Sequence, residues 1–155
     1  MKEKIYVVHW EGPYKWEEKE SKVIEKSHVL YQIYGAHHLY GRDVLLYLGS
    51  TLRGSIRLGE HDYWVSDEYD TIKFRLGSIG EFKDWKDWEN VERYKKPKDD
   101  KIVEQIESLL IYAHQPTYNQ KCKYSPNNVK RIRVFNTGKL GQLFPELSSL
   151  YFFRQ

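Results

Sequence analysis

The sequence is poor in cysteine, and this absence restricts the kinds of site it can contain. Cys122 is the one cysteine among 155 residues, so it has no partner in the chain for a disulfide and cannot form a zinc site by itself. A lone thiol is usual in reducing compartments, which favours a cytoplasmic location. No apolar run approaches the roughly 20 residues of a transmembrane helix, and charges interrupt the apolar start of the chain too early for a secretory signal. We therefore expect no membrane association.

Aromatic residues are abundant instead, at 15% of the chain, with thirteen tyrosines and five tryptophans. Charged residues make up 30% and are mixed evenly with apolar ones, which is typical of a folded domain rather than a disordered chain. No repeat, low-complexity stretch or long linker divides the sequence. These features predict a single α/β domain over residues 1–155.

Positive charge is concentrated in the last quarter of the chain. Residues 120–155 contain seven lysines and arginines against one acidic residue, a net charge of +6, whereas residues 28–119 carry −3 and residues 1–27 are neutral. A basic extension of this kind suits a polyanion such as DNA, whose phosphates dominate the binding energy. The candidate DNA contacts are Lys130, Arg131, Arg133 and Arg53.

The first half of the sequence predicts a strand followed by a β-hairpin. Residues 4–10 are β-branched and aromatic and lead to Gly12-Pro13, which predicts a turn, and the charged residues 15–27 favour a helix. Residues 28–34 and 44–50 predict two antiparallel strands joined by a long tip, GAHHLYGRD. Alternation places Val29, Tyr31 and Ile33 on one face of the first strand, and Leu45, Tyr47 and Gly49 on one face of the second.

The second half predicts helices around a third strand. Arg57 and His61 are four residues apart, so a helix would place them on the same face. The other predicted elements are a strand at 71–79, helices at 81–94 and 101–114, and a strand at 130–136. The expected architecture is a small antiparallel sheet flanked by helices, extended by the N-terminal strand and the basic C-terminal segment.

Five short motifs follow one another along these elements. They are Val29-Leu30-Tyr31, Tyr47-Leu48-Gly49, Arg57 with His61, Glu107 on the long helix, and Pro116 followed by Asn119. Over residues 28–119 this series resembles the GIY-YIG nuclease family, which includes homing endonucleases, small restriction enzymes and the first-incision nuclease of bacterial excision repair. The resemblance implies a GIY-YIG fold, DNA as the partner, Mg²⁺ or Mn²⁺ as the cofactor, and cleavage to 5′-phosphate and 3′-hydroxyl ends.

The resemblance also implies a role for each matched residue. Tyr31 and Tyr47 match the two motif tyrosines, Arg57 the helix arginine, His61 its partner one turn on, Glu107 the metal-binding carboxylate and Asn119 the late asparagine.

Three positions depart from the family pattern. Val29 stands where the first motif has glycine. The fifteen residues that separate Tyr31 from Tyr47 exceed the usual spacing, which makes Tyr34 a rival for the first tyrosine, although Val-Leu-Tyr matches better. Ser50-Thr51 follows the second motif where several relatives have a lysine, so the role of that lysine is unfilled or supplied elsewhere.

The chemistry of phosphodiester hydrolysis fits these residue types. A divalent metal activates water and neutralises phosphoryl charge, and a single carboxylate such as Glu107 suits Mg²⁺, which keeps several water ligands. Arg57 can bind a phosphate with two parallel hydrogen bonds. A tyrosine, with a pKa near 10, needs the metal and Arg57 to become a useful base. The sequence leaves open whether Tyr31, Tyr34 or Tyr47 has that role.

Two other functions are compatible with the same motifs. One is a DNA-binding module that has lost catalysis, against which the intact residue set argues, and the other is a nuclease that acts on RNA. No separate targeting domain is visible, which favours a restriction-type enzyme that works as a homo-oligomer or a structure-selective nuclease.

Overall fold

Strands and short helices alternate around a single sheet. The computed structural model describes residues 2–51, 55–68, 70–86, 95–125 and 130–152. The strands are β1 (Lys4–Lys15), β2 (Leu30–His37), β3 (Gly41–Ser50), β4 (Lys73–Glu81), β5 (Ile132–Gly138) and β6 (Glu146–Ser148). The helices are α1 (Lys19–Lys22), α2 (Ser55–Gly59), α3 (Asp62–Val65), α4 (Asp100–His114) and α5 (Ser149–Phe152), with a 3₁₀ turn at Trp16–Glu18. The α/β class is therefore confirmed.

Within the described residues the sheet has six strands, in the order β3-β2-β4-β1-β5-β6. All neighbouring strands are antiparallel except β1 and β5, which are parallel with Lys4 opposite Ile132. The prediction of an antiparallel sheet is wrong in this respect, because the sheet is mixed. β1 and β5 come from opposite ends of the chain, and a local sequence pattern carries no information on the direction of so distant a pairing.

Two predicted turns are strand instead. β1 continues through Gly12-Pro13 to Lys15, because a register shift between Glu11 and Tyr14 accommodates a proline that cannot donate to the ladder. The hairpin strands likewise continue into the predicted tip, which leaves a turn of residues 38–40.

The hairpin contains a register shift that changes the predicted faces. Ile33 lies opposite Tyr47, but Tyr34 lies opposite Leu45, so Leu46 is the extra residue of a bulge. Leu45 therefore packs with Tyr34 on the face opposite Tyr47, which corrects the face predicted for Leu45.

The predicted helices have different outcomes. The helix predicted at 101–114 is confirmed as α4. Its N-cap is Asp99, whose side chain accepts a hydrogen bond from Lys101 N, and it ends at His114, with Gln115 as the C-cap before Pro116. Residues 15–27 form the 3₁₀ turn and the single turn α1 only. Residues 82–86 are not helical, and residues 87–94 lie outside the described residues. Among the described helices, none is long and apolar enough to cross a membrane.

The two faces of the sheet have separate cores. One core joins the sheet to α4 through the buried residues Trp10, Leu30, Tyr34, Leu48, Ile106 and Leu110. The other joins it to α2 through Tyr31, Ile33, Leu46, Leu58, Phe74 and Leu76. Each fully buried side chain of this size contributes about 1.5–3 kcal/mol through the hydrophobic effect. The edge strand β3 thus has α4 packed on one face and α2 on the other.

Candidate active site

A cleft of about 1570 Å³ opens beside β3. Five of the six residues assigned from the resemblance line it: Tyr47, Arg57, His61, Glu107 and Asn119. The sixth, Tyr31, is fully buried and stacks on Tyr47 with ring centroids 5.9 Å apart. The fold therefore brings together side chains from β2, β3, the α2–α3 segment, α4 and the loop that follows it.

Gly49 provides the space that the Tyr31 ring occupies. The two residues are cross-strand partners, and a Cβ at position 49 would lie 2.5 Å from the Tyr31 ring. The backbone of β3 can therefore be approached closely by an aromatic ring only because residue 49 has no side chain. The glycine of Tyr47-Leu48-Gly49 thus has a steric reason to be there.

His61 connects Tyr31 to the α3 helix through both ring nitrogens. Trp64 Nε1 donates to His61 Nδ1 at 3.0 Å, and His61 Nε2 lies 2.6 Å from the Tyr31 hydroxyl. An indole nitrogen only donates, so Nδ1 must be unprotonated and the proton of the neutral ring is on Nε2. Burial lowers the pKa of His61 to about 4, which keeps the ring neutral at pH 7. His61 therefore donates to the Tyr31 oxygen.

The position of His61 differs from the predicted continuous helix. α2 ends at Gly59, and His61 is the residue that precedes α3. The prediction that Arg57 and His61 share one uninterrupted helix is therefore wrong. Both nevertheless line the cleft, because the turn between the two short helices directs His61 inward to a site where it is 6% exposed.

Of the two motif tyrosines, Tyr47 is the one that lines the cleft. Arg57 Nη2 lies 3.4 Å from the Tyr47 hydroxyl, while Arg57 Nη1 is paired with Glu60 at 2.6 Å. Burial and the Glu107 carboxylate raise the pKa of Tyr47, whereas the Arg57 cation and the hydrogen bonds from Arg57 and Tyr31 oppose that increase. The pKa of Tyr31 is raised well above its usual value, by burial first and by the neighbouring Tyr47 next. The pair thus favours ionisation of Tyr47 over that of Tyr31.

Glu107 presents a carboxylate to the same cleft from α4. Burial raises its pKa, and this effect is opposed by hydrogen bonds from the Ser50 side chain and backbone and by the Arg57 charge. Among the residues described, no three or more His, Cys, Asp or Glu side chains are grouped to hold a metal ion. The donor set fits an ion that needs one carboxylate and otherwise takes water and phosphate oxygens, as Mg²⁺ does.

Asn119 contacts the backbone of the edge strand. Its Oδ1 accepts from Leu48 N at 2.9 Å and its Nδ2 donates to Leu48 O at 2.8 Å. The neighbouring Tyr118 N donates to Leu46 O at 2.8 Å. Together these bonds cover part of the open edge of β3. Both ends of the Asn119 amide are used in this way, which favours a positioning role for this residue.

The predicted DNA contacts occupy different surroundings. Lys130 is exposed and lines the cleft. Arg133 is held by two carboxylates, Glu3 at 3.0 Å and Glu146, so its charge is largely compensated within the fold. Arg131 is partly buried next to β5, and Arg53 lies outside the described residues.

Two residues of the site are missed by the sequence pattern. Trp64 follows His61 by three residues, which is the spacing of one helical turn and is the signal that could have identified it. Ser50 stands out in the sequence only for the missing lysine, whereas the structure shows its hydrogen bonds to Glu107. That pairing joins distant segments and has no local signal.

No protein-family model, curated protein or solved structure matches this chain.

Proposed function

We propose that this protein is a metal-dependent DNA endonuclease of the GIY-YIG type. One observation supports this most strongly: residues chosen by their order in the sequence converge on one cleft, although they come from separate elements. They are Tyr31, Tyr47, Arg57, His61 and Glu107. Independent structural roles for all five would not require such convergence.

The metal would be held by Glu107. When bound, Mg²⁺ or Mn²⁺ would supply Lewis-acid stabilisation of the phosphate and a more acidic water. Ser50 fixes the orientation of the Glu107 carboxylate from the end of β3. Because Glu107 opens into the cleft and would be the one carboxylate ligand, the remaining ligand positions of Mg²⁺ would be free for water and phosphate oxygens.

Arg57 and Tyr47 are the groups placed to act on the phosphate and on the attacking water. Arg57 carries a permanent charge, and a guanidinium can stabilise charge that develops on the phosphoryl oxygens. The Tyr47 hydroxyl lies beside it and can orient a water molecule, while the Arg57 charge lowers the cost of a phenolate. Of the three tyrosines considered, Tyr47 is therefore the one we assign to the water.

A series of hydrogen bonds through Trp64, His61 and Tyr31 orients Tyr47. Because His61 donates to the Tyr31 oxygen, the Tyr31 proton is directed to another acceptor, and Tyr47 is within its hydrogen-bonding reach. The chain of donors from Trp64 through His61 and Tyr31 thus ends at the Tyr47 oxygen. This arrangement holds the Tyr47 hydroxyl in one orientation and favours its ionised form.

The DNA backbone would bind along the lysines of the cleft. Lys101, Lys121 and Lys130 are exposed and line it, and they form no ion pair with the residues that the structure describes. Binding of phosphates there releases counterions, which is the main source of nonspecific affinity. Lys130 remains a proposed contact, whereas the compensated charge of Arg133 makes that residue a weaker candidate.

The experiment that tests this function is incubation of supercoiled plasmid and short labelled duplexes with the protein in Mg²⁺ or in EDTA. We expect nicking or linearisation with Mg²⁺ only, with 5′-phosphate and 3′-hydroxyl ends. Binding without cleavage would instead support the inactive DNA-binding module. Preferential cleavage of an RNA competitor would support the ribonuclease. A cytoplasmic location and a homo-oligomer remain predictions.

A further inference from the structure

The cleft has two walls of different chemistry. The wall formed by α4 and the residues after it contains three lysines, Lys101, Lys121 and Lys130, and two glutamates, Glu104 and Glu107. The wall formed by residues 57–68 contains aromatic side chains and carboxylates: Tyr63, Trp64, Glu60, Asp67 and Glu68. The cation of this second wall, Arg57, is paired with Glu60. The first wall therefore carries a net charge of +1 and the second a net charge of −2, with His61 neutral. A phosphate chain is attracted to the first wall and, apart from its contact with Arg57, is repelled by the second.

The second wall suits nucleobases better than phosphates. Tyr63 is 76% exposed although it is a large aromatic side chain. Trp64 of this wall meets Tyr118, which comes from the residues after α4, edge to face with centroids 5.1 Å apart, and the Tyr118 hydroxyl donates to Glu68 at 2.9 Å. Aromatic faces stack on any base, and carboxylates such as Asp67 accept hydrogen bonds from the exocyclic amines of bases.

We propose that this wall is a binding site for an unpaired nucleobase, with Tyr63 as its stacking platform, next to the phosphate that Arg57 contacts. The inference rests on the proposed function, because it adds a base subsite to the same cleft. A base within an intact duplex is stacked on both faces and is not available to Tyr63. The preferred substrate is therefore single-stranded or locally unpaired DNA rather than uniform duplex.

The test separates base stacking from cleavage. Full-length Glu107→Gln protein in Mg²⁺ is mixed with a single-stranded oligonucleotide containing 2-aminopurine, whose fluorescence falls when the base stacks on an aromatic ring. A matched blunt duplex of the same sequence is measured in parallel. Tyr63→Ala and Tyr63→Phe are introduced in the same background. Thermal melting of each variant verifies folding, which we expect to be unchanged because the Tyr63 side chain is exposed.

We expect Tyr63→Ala to weaken single-strand binding by about 5- to 150-fold, the range for loss of one stacked base, and to lose the fluorescence quenching. Tyr63→Phe should retain both, since it keeps the ring. Duplex affinity should be the same in all three proteins. Equal losses on single strand and duplex, or unchanged quenching in Tyr63→Ala, would overturn the subsite. If wild type fails to cleave DNA but these binding differences are found, the nuclease proposal fails while the base site stands.

Discussion

Tyr31 and Tyr34 lie three residues apart in β2 on opposite faces of the sheet. Both are buried, and burial raises the pKa of both. Their hydroxyls have different partners: Tyr31 contacts His61 and reaches Tyr47 at the cleft, whereas Tyr34 is bonded to Gln32 and to Gln142 N within the core. Burial and the direction of a pKa shift are therefore shared by a structural and a candidate functional tyrosine. Access to the cleft and the identity of the partners distinguish them.

The largest effect on the cleavage rate is expected for substitution of Glu107, which lines the cleft together with Tyr47. Glu107→Gln should lower Mg²⁺-dependent cleavage by at least about 10³-fold, because several kcal/mol of transition-state stabilisation depend on the metal. DNA binding should remain. Glu104→Gln is the matched control, since Glu104 is exposed one turn earlier on α4 and lines the same cleft. Single-turnover rates at saturating protein measure both, and Glu107→Gln cleavage at near the wild-type rate would refute the metal assignment.

Two arginines extend the comparison, because each sheet face has one beside a tyrosine. Arg57 lies 3.4 Å from the Tyr47 hydroxyl, and Arg75 lies 5.3 Å from the centre of the Tyr34 ring. Arg57→Lys should reduce kcat by about 10²–10³-fold with little change in KM, since lysine cannot reproduce the guanidinium geometry. Arg75→Lys should affect stability and not kcat. An Arg57→Lys protein with normal kcat and a raised KM would limit Arg57 to substrate binding.

The buried His61 and the partly buried His114 together test the protonation state of the site. Burial lowers the pKa of His61 to about 4, from 6.5 in the unfolded chain, so the folded state disfavours its charged form. The contribution of this residue to the free energy of unfolding should be fully present above pH 6.5 and fall by about 3 kcal/mol as the pH decreases towards 4. His61→Gln should flatten this dependence in urea titrations. His114, whose pKa burial also lowers, is the control.

The two histidines should also differ in their effect on DNA cleavage. His114 accepts from Phe144 N and bonds Leu110 O, far from Tyr31 in the hydrogen-bond network. His114→Gln should therefore change stability without changing cleavage at pH 7, while His61→Gln should lower both. A pH dependence of unfolding identical in wild type and His61→Gln would mean that His61 charges as easily in the folded protein as in the unfolded chain.

The smallest expected effect concerns the cations outside the tyrosine network. Lys121→Ala with Lys130→Ala should reduce the slope of log K against log salt by about 0.9 for each DNA phosphate that the protein no longer neutralises. Arg133→Ala should leave that slope unchanged, because Glu3 and Glu146 already compensate its charge. Binding titrations from low to moderate salt measure the slopes. A changed slope in Arg133→Ala alone would instead indicate that DNA binds on the β5 side of the protein.

Much of the fold could be predicted from local periodicity. The apolar stripe of α4 indicates which face of that helix is buried, and the apolar and aromatic runs of the hairpin indicate its two strands, although both faces of β2 are buried. The parallel pairing of β1 with β5 and the bulge at Leu46 could not be predicted, because they depend on contacts between distant segments. The order of the motifs in the sequence identified His61 as a site residue. The inward direction of the His61 side chain, however, depends on the turn after Gly59, which helical spacing does not reveal.

The assignment of roles within the site required the structure. Three tyrosines are candidates for the group that orients water, and their sequence contexts do not separate them. The bulge places Tyr47 toward the cleft and Leu45 away from it, and Tyr34 packs in the opposite core. Trp64 then determines the proton position on His61 through one hydrogen bond. Such directions are set by tertiary packing rather than by residue type.

The most direct test of the central claim is the single-turnover rate of Mg²⁺-dependent DNA cleavage by Tyr47→Phe and Tyr34→Phe, each of which removes one phenol oxygen. We predict that Tyr47→Phe cleaves about 10²-fold or more slowly, in the range for removal of a general acid–base group, with an unchanged melting temperature. Tyr34→Phe, which removes the acceptor of Gln142 N, should melt at lower temperature and cleave at the wild-type rate. Equal cleavage rates for the two variants would contradict the placement of the reaction centre on the Tyr47 face.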